Sequence, residues 1–381
     1  MLIGRVYRRL KFYLARVACW FVVSYPRICY CLCKKNLCCM DMQTFVFECS
    51  KYASLFHAHS KGYDAPELQM QIYAFTRQSI SLISNSLEMS ENPCEPTVLA
   101  VVKDDLERMK LFYRHYQDLG VKQFVVIDNG STDGTLEWMS RQQGTRCYSV
   151  TTKFQSEKKV AWIEKALALT GYNRWYVVVD SDELLDYIGS EQHDLKNLIL
   201  HAQKNGYKHL NGYMLDMYSD KPLFTEECKY NEIVSRFRYF DVSGYYPKNY
   251  HSRIIDTEIN SLRGGPRERL FKNKEISLNK QSVFYFDMEA LYCNPHYLWP
   301  YQGCGEDPCS FVLRHYKFLK QDLCKFEKRI EKKNFWNGSQ EYRMYMAAYQ
   351  DNSCICMKHN ESVEYKDSRS LAVLPFLETL V

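Results

Sequence analysis

Short apolar runs alternate with amphipathic stretches through the middle of the chain. Thr97-Val98-Leu99-Ala100-Val101-Val102 reads as a buried strand, as do Phe124-Val125-Val126-Ile127, Thr145 to Val150 and Trp175 to Val179. Met109, Phe112, Tyr113 and Tyr116 recur at i, i+3, i+4 and i+7, one face of a helix. Asp104, with Glu107 three residues on, has the spacing of a capping box for that helix, and Gly120 stops it. Thr135 to Arg141 and Lys158 to Leu169 read as further helices, the second ended by Gly171. This alternation predicts parallel βαβ units: an α/β fold with a mostly parallel central sheet flanked by helices. Ligands bind such sheets beyond the carboxyl ends of the strands. Three polar loops fall there: Lys103-Asp104-Asp105, Asp128 to Asp133, and Asp180 to Glu183.

The flanks have a different texture. Pro66 to Met89 shows an imperfect helical period, so residues 51–96 read as a helical connector. Lys320 to Tyr349 reads as a helical, structural segment carrying Phe326, Phe335, Arg343 and Tyr345, and residues 351–381 as a tail. Residues 1–50 form a basic, Cys-rich segment. They hold eight Lys and Arg against Asp41 and Glu48, a net +6, whereas the 381-residue chain carries +5. The body is therefore near neutral, which argues against a nucleic-acid-binding role. The longest uncharged run of this segment, Val17 to Pro26, is shorter than the ~20 residues a membrane span needs. Residues 1–33 read either as a peripheral contact with an anionic membrane surface or as a helix pair packed on the body. Seven of the 16 cysteines fall in this segment, but the gaps among Cys29, Cys31, Cys33, Cys38 and Cys39 do not match zinc pairs. The scatter of the other cysteines suits a reducing cytosol, with a cytoplasmic location at the inner face of a membrane, or alternatively a type II anchor in the secretory pathway.

Asp180-Ser181-Asp182-Glu183 places three carboxylates in four residues, a repulsion that a cation offsets. Hard divalent ions take carboxylate oxygens and bind substrate phosphates as well, so an Asp-x-Asp at a strand end can bridge to a diphosphate. Asp128, at the end of another strand, can accept a nucleobase N–H or a sugar hydroxyl, and Ser131 to Asp133 suit helix capping.

Several stretches together resemble the family-2-like glycosyltransferases. They are Val101 to Asp105, His115-Tyr116, Leu119-Gly120, Ile127 to Thr135 and Val179 to Glu183, with Leu215 to Tyr218, Gly264 to Phe271 and His315 to Phe318 downstream. The closest subgroup looks like a bacterial one whose first loop usually reads Lys-Asn-Glu; here it reads Lys-Asp-Asp. The resemblance covers roughly residues 97–350. It implies a GT-A type nucleotide-sugar-binding fold, a nucleotide-sugar donor, a glycan or glycolipid acceptor, and Mn²⁺ or Mg²⁺. On that mapping Lys103, Asp105, Asp128 and Asp180 lie at the donor, Asp182 ligates the metal with Asp180, and His315 is a further ligand. Lys317 or Arg267 would offset the diphosphate charge.

Inverting transfer also needs a base for the acceptor hydroxyl. Glu268, in the glycine-rich turn Gly264-Gly265-Pro266-Arg267-Glu268, and Asp216, after Tyr213-Met214-Leu215, are the two candidates. Tyr292, Tyr297, Trp299 and Tyr301 read either as sugar-stacking rings or as packing. Asn129-Gly130-Ser131, Asn337-Gly338-Ser339 and Asn360-Glu361-Ser362 are glycosylation sequons, the first of them inside the expected site. The expected activity is metal-dependent glycosyl transfer in surface polysaccharide synthesis. A nucleotidyltransferase-like enzyme and a non-catalytic glycan-binding module are the alternatives.

Overall fold

The computed structural model describes residues 2–36, 40–61, 65–301, 309–332 and 336–379. Four α-helices come first: α1 (Leu2–Ser24), α2 (Pro26–Cys33), α3 (Met42–Ala58) and α4 (Pro66–Arg77). Strands and helices then alternate as β1 (Ser81–Asn85), β2 (Thr97–Val102), α5 (Leu106–Asp118), β3 (Gln123–Asp128), α6 (Thr135–Met139) and β4 (Thr145–Ser149). They continue as α7 (Ser156–Thr170), β5 (Arg174–Val178), β6 (Glu183–Asp186), α8 (Leu195–Lys204) and β7 (His209–Asp216). The second half adds α9 (Ile233–Arg236), α10 (Gly265–Phe271), α11 (Asp322–Lys332) and α12 (Trp336–Asp351), with long strands β13 (Asn279–Phe286) and β16 (Cys309–His315). Short strands β8 (Tyr239–Phe240), β9 (Tyr245–Pro247), β10 (Tyr250–Ser252), β11 (Thr257–Ile259), β12 (Leu262–Gly264), β14 (Leu291–Asn294), β15 (Tyr297–Trp299) and β17 (Val363–Glu364) pair in twos outside the main sheet.

The protein is α/β. Its nine-stranded mixed sheet has the order β1-β4-β3-β2-β5-β13-β7-β16-β6, and the run β4-β3-β2-β5 is parallel. The four strands read from the sequence are this parallel run. Their period of two splits the core into layers. Val98, Ala100, Val102, Phe124 and Val126 face α5 and α8, while Leu99, Val125, Ile127 and Val178 face Trp162 and Ile163 of α7.

Three local expectations are corrected. The helical connector ends at Arg77; Ser81–Asn85 is a strand, antiparallel to β4 at the sheet edge. Asp104 does not cap α5, because its carboxylate accepts from Thr132 N at 2.7 Å; Asp133, from the next loop, accepts the α5 amide of Leu106 at 3.0 Å. The stretch after residue 350 is tied to the body, with β17 paired to β8 and Leu371, Leu374 and Leu377 buried.

The N-terminal segment is two helices broken at Tyr25-Pro26, with an inner face packed on the body. Cys19, Cys29, Cys33 and Cys49 are buried there as small apolar side chains, and the described cysteines are all free thiols. Cys38, Cys39 and Phe335 lie outside the described residues. Among the described residues no helix is long and apolar enough to cross a membrane.

Candidate functional site

A cleft of about 1600 Å³ opens at the carboxyl ends of β2, β3 and β5, lined by all three predicted polar loops. Its floor is set by strand register. β16 lies between β6 and β7, so His315 stands opposite Glu183 on one side and Asp216 on the other. That pairing gathers residues distant in the chain. Asp182 Oδ2 lies 3.4 Å from His315 Nε2, and His315 Nδ1 lies 2.7 Å from Asp216 Oδ1. Arg267 Nε donates to Asp216 Oδ2 at 2.7 Å, and Glu341 joins Arg267 (3.4 Å) to Lys317 (2.7 Å). The result is a chain of alternating charges that ends in the cleft.

The electrostatics follow from this alternation. Burial alone would raise the Asp182 carboxyl, but His315, Arg108 and Lys317 hold it well below the usual carboxylate range. Burial would lower His315; Asp182 and Asp216 override it and raise its pKa. Glu341 is pulled down to about 2, since Lys317 and Arg267 outweigh its burial.

Two loops are latched to each other. Lys103 Nζ donates to the carbonyls of Asn129 (2.8 Å) and Gly130 (2.9 Å), and Asp104 N to Ser131 Oγ. Asp104 holds a left-handed φ of 49°, a strained backbone that this latch maintains. The third loop joins through Ser181, whose hydroxyl donates to Asp105 Oδ2 at 2.6 Å. Asp105 also pairs with Arg108 and Lys325. Gly264, at φ 103°, lets β12 turn into α10; a Cβ there would sit 1.9 Å from the Gly244 carbonyl oxygen. The following turn carries Arg267 into the cleft.

Of the sequence-predicted residues, Lys103, Asp105, Asp180, Asp182, Arg267, His315 and Lys317 line this one cleft. Three do not. Asp128 is buried, and its Oδ2 accepts from the amides of Gly130 and Ser131, so it folds the turn and is out of reach of a donor. Asp216 is buried with both carboxylate oxygens engaged, by His315 and by Arg267, so it cannot take a proton from an acceptor. Glu268 points to the Tyr246 hydroxyl, at 2.9 Å, away from the cleft lining. Neither candidate base is placed to act. Tyr292 and Tyr297 are buried in the cleft lining, Tyr297 bonding Ser252, and Trp299 and Tyr301 are half-buried against the cluster that joins the N-terminal helices to the body. Asn129 is buried with its amide donating to Val150 O and Thr152 O, which leaves no room for a glycan.

Among the described residues no three His, Cys, Asp or Glu side chains converge as a metal-ligating group. Asp180 is bound instead by Lys159. Asp182 and His315 still suit a Mg²⁺ or Mn²⁺ ion, which takes one or two protein ligands and leaves its other positions to water and substrate phosphate. The Asp216 bond to Nδ1 leaves Nε2 as the nitrogen that would face such an ion, a carboxylate–imidazole arrangement typical of metal histidines.

Sequence reasoning missed the counter-charges: Lys159 at Asp180, Lys280 at Glu183 (2.6 Å), Asp322 at Arg108 and Glu341 at Lys317. It also missed His296. This ring sits at the β14–β15 turn on the cleft wall, with Nδ1 2.7 Å from the Asn279 carbonyl. A carbonyl only accepts, so Nδ1 carries the proton and Nε2 is a bare acceptor. Burial and the nearby Lys280 lower this histidine to about 4.

His115 is lowered further, to about 3, by burial and by Arg314, and its Nε2 lies 2.8 Å from the Leu185 carbonyl. With folded pKa values below the ordinary 6.5, both histidines contribute stability above pH 6.5. That contribution is lost as pH falls toward 4, because the unfolded chain binds the protons first. His315, raised, works in the opposite sense: its contribution is present below the unfolded pKa and is lost as pH rises. The melting temperature should therefore drop between pH 6.5 and pH 4. Calorimetric scans should show a shallower drop in His115→Asn; an unchanged slope would contradict the assignment.

No family model matches the chain, and no curated protein matches it.

Proposed function

We propose that the protein is a glycosyltransferase of GT-A type that uses a nucleotide-sugar donor and a divalent metal. The acceptor is a glycan or glycolipid hydroxyl. The observation that carries this reading is the convergence of the three strand-end loops, with Asp182 beside His315, on one cleft rich in lysine and arginine. The cleft stands where α/β sheets bind nucleotides. At about 1600 Å³ it is large enough to hold such a ligand.

The chain's own groups supply the rest. A bound Mn²⁺ or Mg²⁺, held by Asp182 and His315 Nε2, would add positive charge where the diphosphate departs. Lys317 and Arg267, oriented by Glu341, face the same region, and α11 adds exposed Lys328 and Lys332 to the wall. These cations stabilise the leaving diphosphate. His296 Nε2 receives the acceptor proton while the acceptor oxygen bonds the sugar carbon and the bond to the diphosphate oxygen breaks. This is direct displacement with inversion, with no covalent intermediate.

A panel of nucleotide sugars incubated with Mn²⁺ tests the reading: at least one should be hydrolysed or transferred, and none turned over by a folded protein would reject it. On the active donor, His296→Gln should lower kcat about 10²-fold or more while leaving donor binding unchanged. Full activity in that variant would place the base elsewhere.

A further inference from the structure

Among the described residues the outer face of α1 and α2 has no partner in the fold. The inner face, through Ala15, Cys19 and Val22, is buried against the body, chiefly α4. At about 100° per residue, Leu10, Tyr13, Leu14 and Trp20 fall within an outward arc of roughly 120°. All four are exposed, Tyr13 by 65% and Leu10 by 54%. Ile28 and Leu32, four residues apart on α2, extend the patch. Of the fourteen large hydrophobic side chains exposed among the described residues, eight lie between Leu10 and Leu32, so the patch belongs to this segment and not to the surface at large.

Charge identifies what fits it. Arg16, Arg27 and Lys34 are exposed in the same helices and the turn after them, within the stretch of 50 residues whose net charge is +6. A second copy would bring like charge against like. A surface of anionic headgroups over an apolar interior matches both properties, and Trp and Tyr are the side chains that favour that boundary.

We propose that α1 and α2 lie in the plane of an anionic lipid surface. The apolar arc enters the boundary between headgroup and acyl chain, and Arg16, Arg27 and Lys34 meet lipid phosphates. The face is independent of the reading of the cleft, though α4 behind it contributes Glu67 and Gln71 to the cleft wall.

The full chain should co-sediment with phosphatidylcholine vesicles containing about a third phosphatidylglycerol, far less with phosphatidylcholine alone, and be released by salt. Tryptophan emission should shift to the blue on binding, and less so in Trp20→Phe. The double variant Leu10→Glu with Tyr13→Glu alters only exposed positions. It should keep the wild-type melting temperature and lose at least tenfold in partitioning, as should Ile28→Glu with Leu32→Glu. Failure to bind anionic vesicles, or equal partitioning of both double variants and wild type, would overturn the proposal. So would a wild-type dimer that these variants dissociate, since the face would then belong to a second copy.

Discussion

Asp182→Ala should lower sugar transfer at least about 10²-fold, the scale of removing one group that stabilises charge in the transition state. Asp182 is the partly exposed end of a chain that runs back through His315 and Asp216 to Arg267, Glu341 and Lys317. Each inner member is held by two neighbours. Only Asp182 presents a carboxylate oxygen to the cleft beside the Nε2 of an oriented histidine. Its removal would take away the proposed oxygen ligand and the largest of the charges that raise His315. Asp182→Asn keeps the shape but not the charge, so it should lose activity to a similar degree. Kinetics of the two variants would separate charge from packing, and wild-type rates in both would remove Asp182 from the mechanism.

Lys51→Met should destabilise the fold by about 3–5 kcal/mol, the range for removing one partner of a buried ion pair. Lys51 lies on α3, 3% exposed, where the N-terminal helices meet the body. Its Nζ sits 2.7 Å from Glu164 of α7 and 2.8 Å from Glu48, donates to the Ala290 carbonyl at 2.9 Å, and lies 4.2 Å from the Phe286 ring centre. Glu48 is raised well above the usual carboxylate range by burial and by Glu164, against the pull of Lys51. Without the ammonium, two carboxylates share an apolar pocket with no counter-charge. Denaturant unfolding should show the loss, and Glu164→Gln placed on top of Lys51→Met should recover part of it. A loss within ~0.5 kcal/mol, the scale of an ordinary surface substitution, would contradict the account.

The sheet's parallel centre was legible because β2, β3, β4 and β5 are compact apolar runs bounded by polar loops. β1 was not. Its Leu82 and Ile83 are exposed, so no burial pattern marks Ser81–Asn85 as a strand; backbone pairing with β4 alone makes it one. The loop residues of the site were legible for a local reason, since strand ends and turns announce themselves in sequence. Asp182 and His315 were both named, but their contact depends on the register of β16 against β6, which no local pattern encodes. Asp216 and Glu268 were misread as bases for the same reason. Their neighbours, His315, Arg267 and Tyr246, decide whether a carboxylate is free, and those neighbours come from other elements. Lys159, Lys280 and Glu341 look like solvated helix or strand charges until the fold sets each against its counter-charge. Of the cysteines that suggested a cluster, Cys29 and Cys33 fill the seam between α1–α3 and the body, whereas Cys31 is exposed.

The central claim is that this cleft binds a nucleoside diphosphate at Asp182 and His315. Titration calorimetry of the full chain with nucleoside diphosphates, with and without Mn²⁺, tests it most directly. The account predicts saturable binding at one site for at least one nucleotide, strengthened by Mn²⁺ and abolished by Asp182→Ala. Absence of binding by any of them to the folded protein, or binding that Asp182→Ala leaves intact, would contradict it.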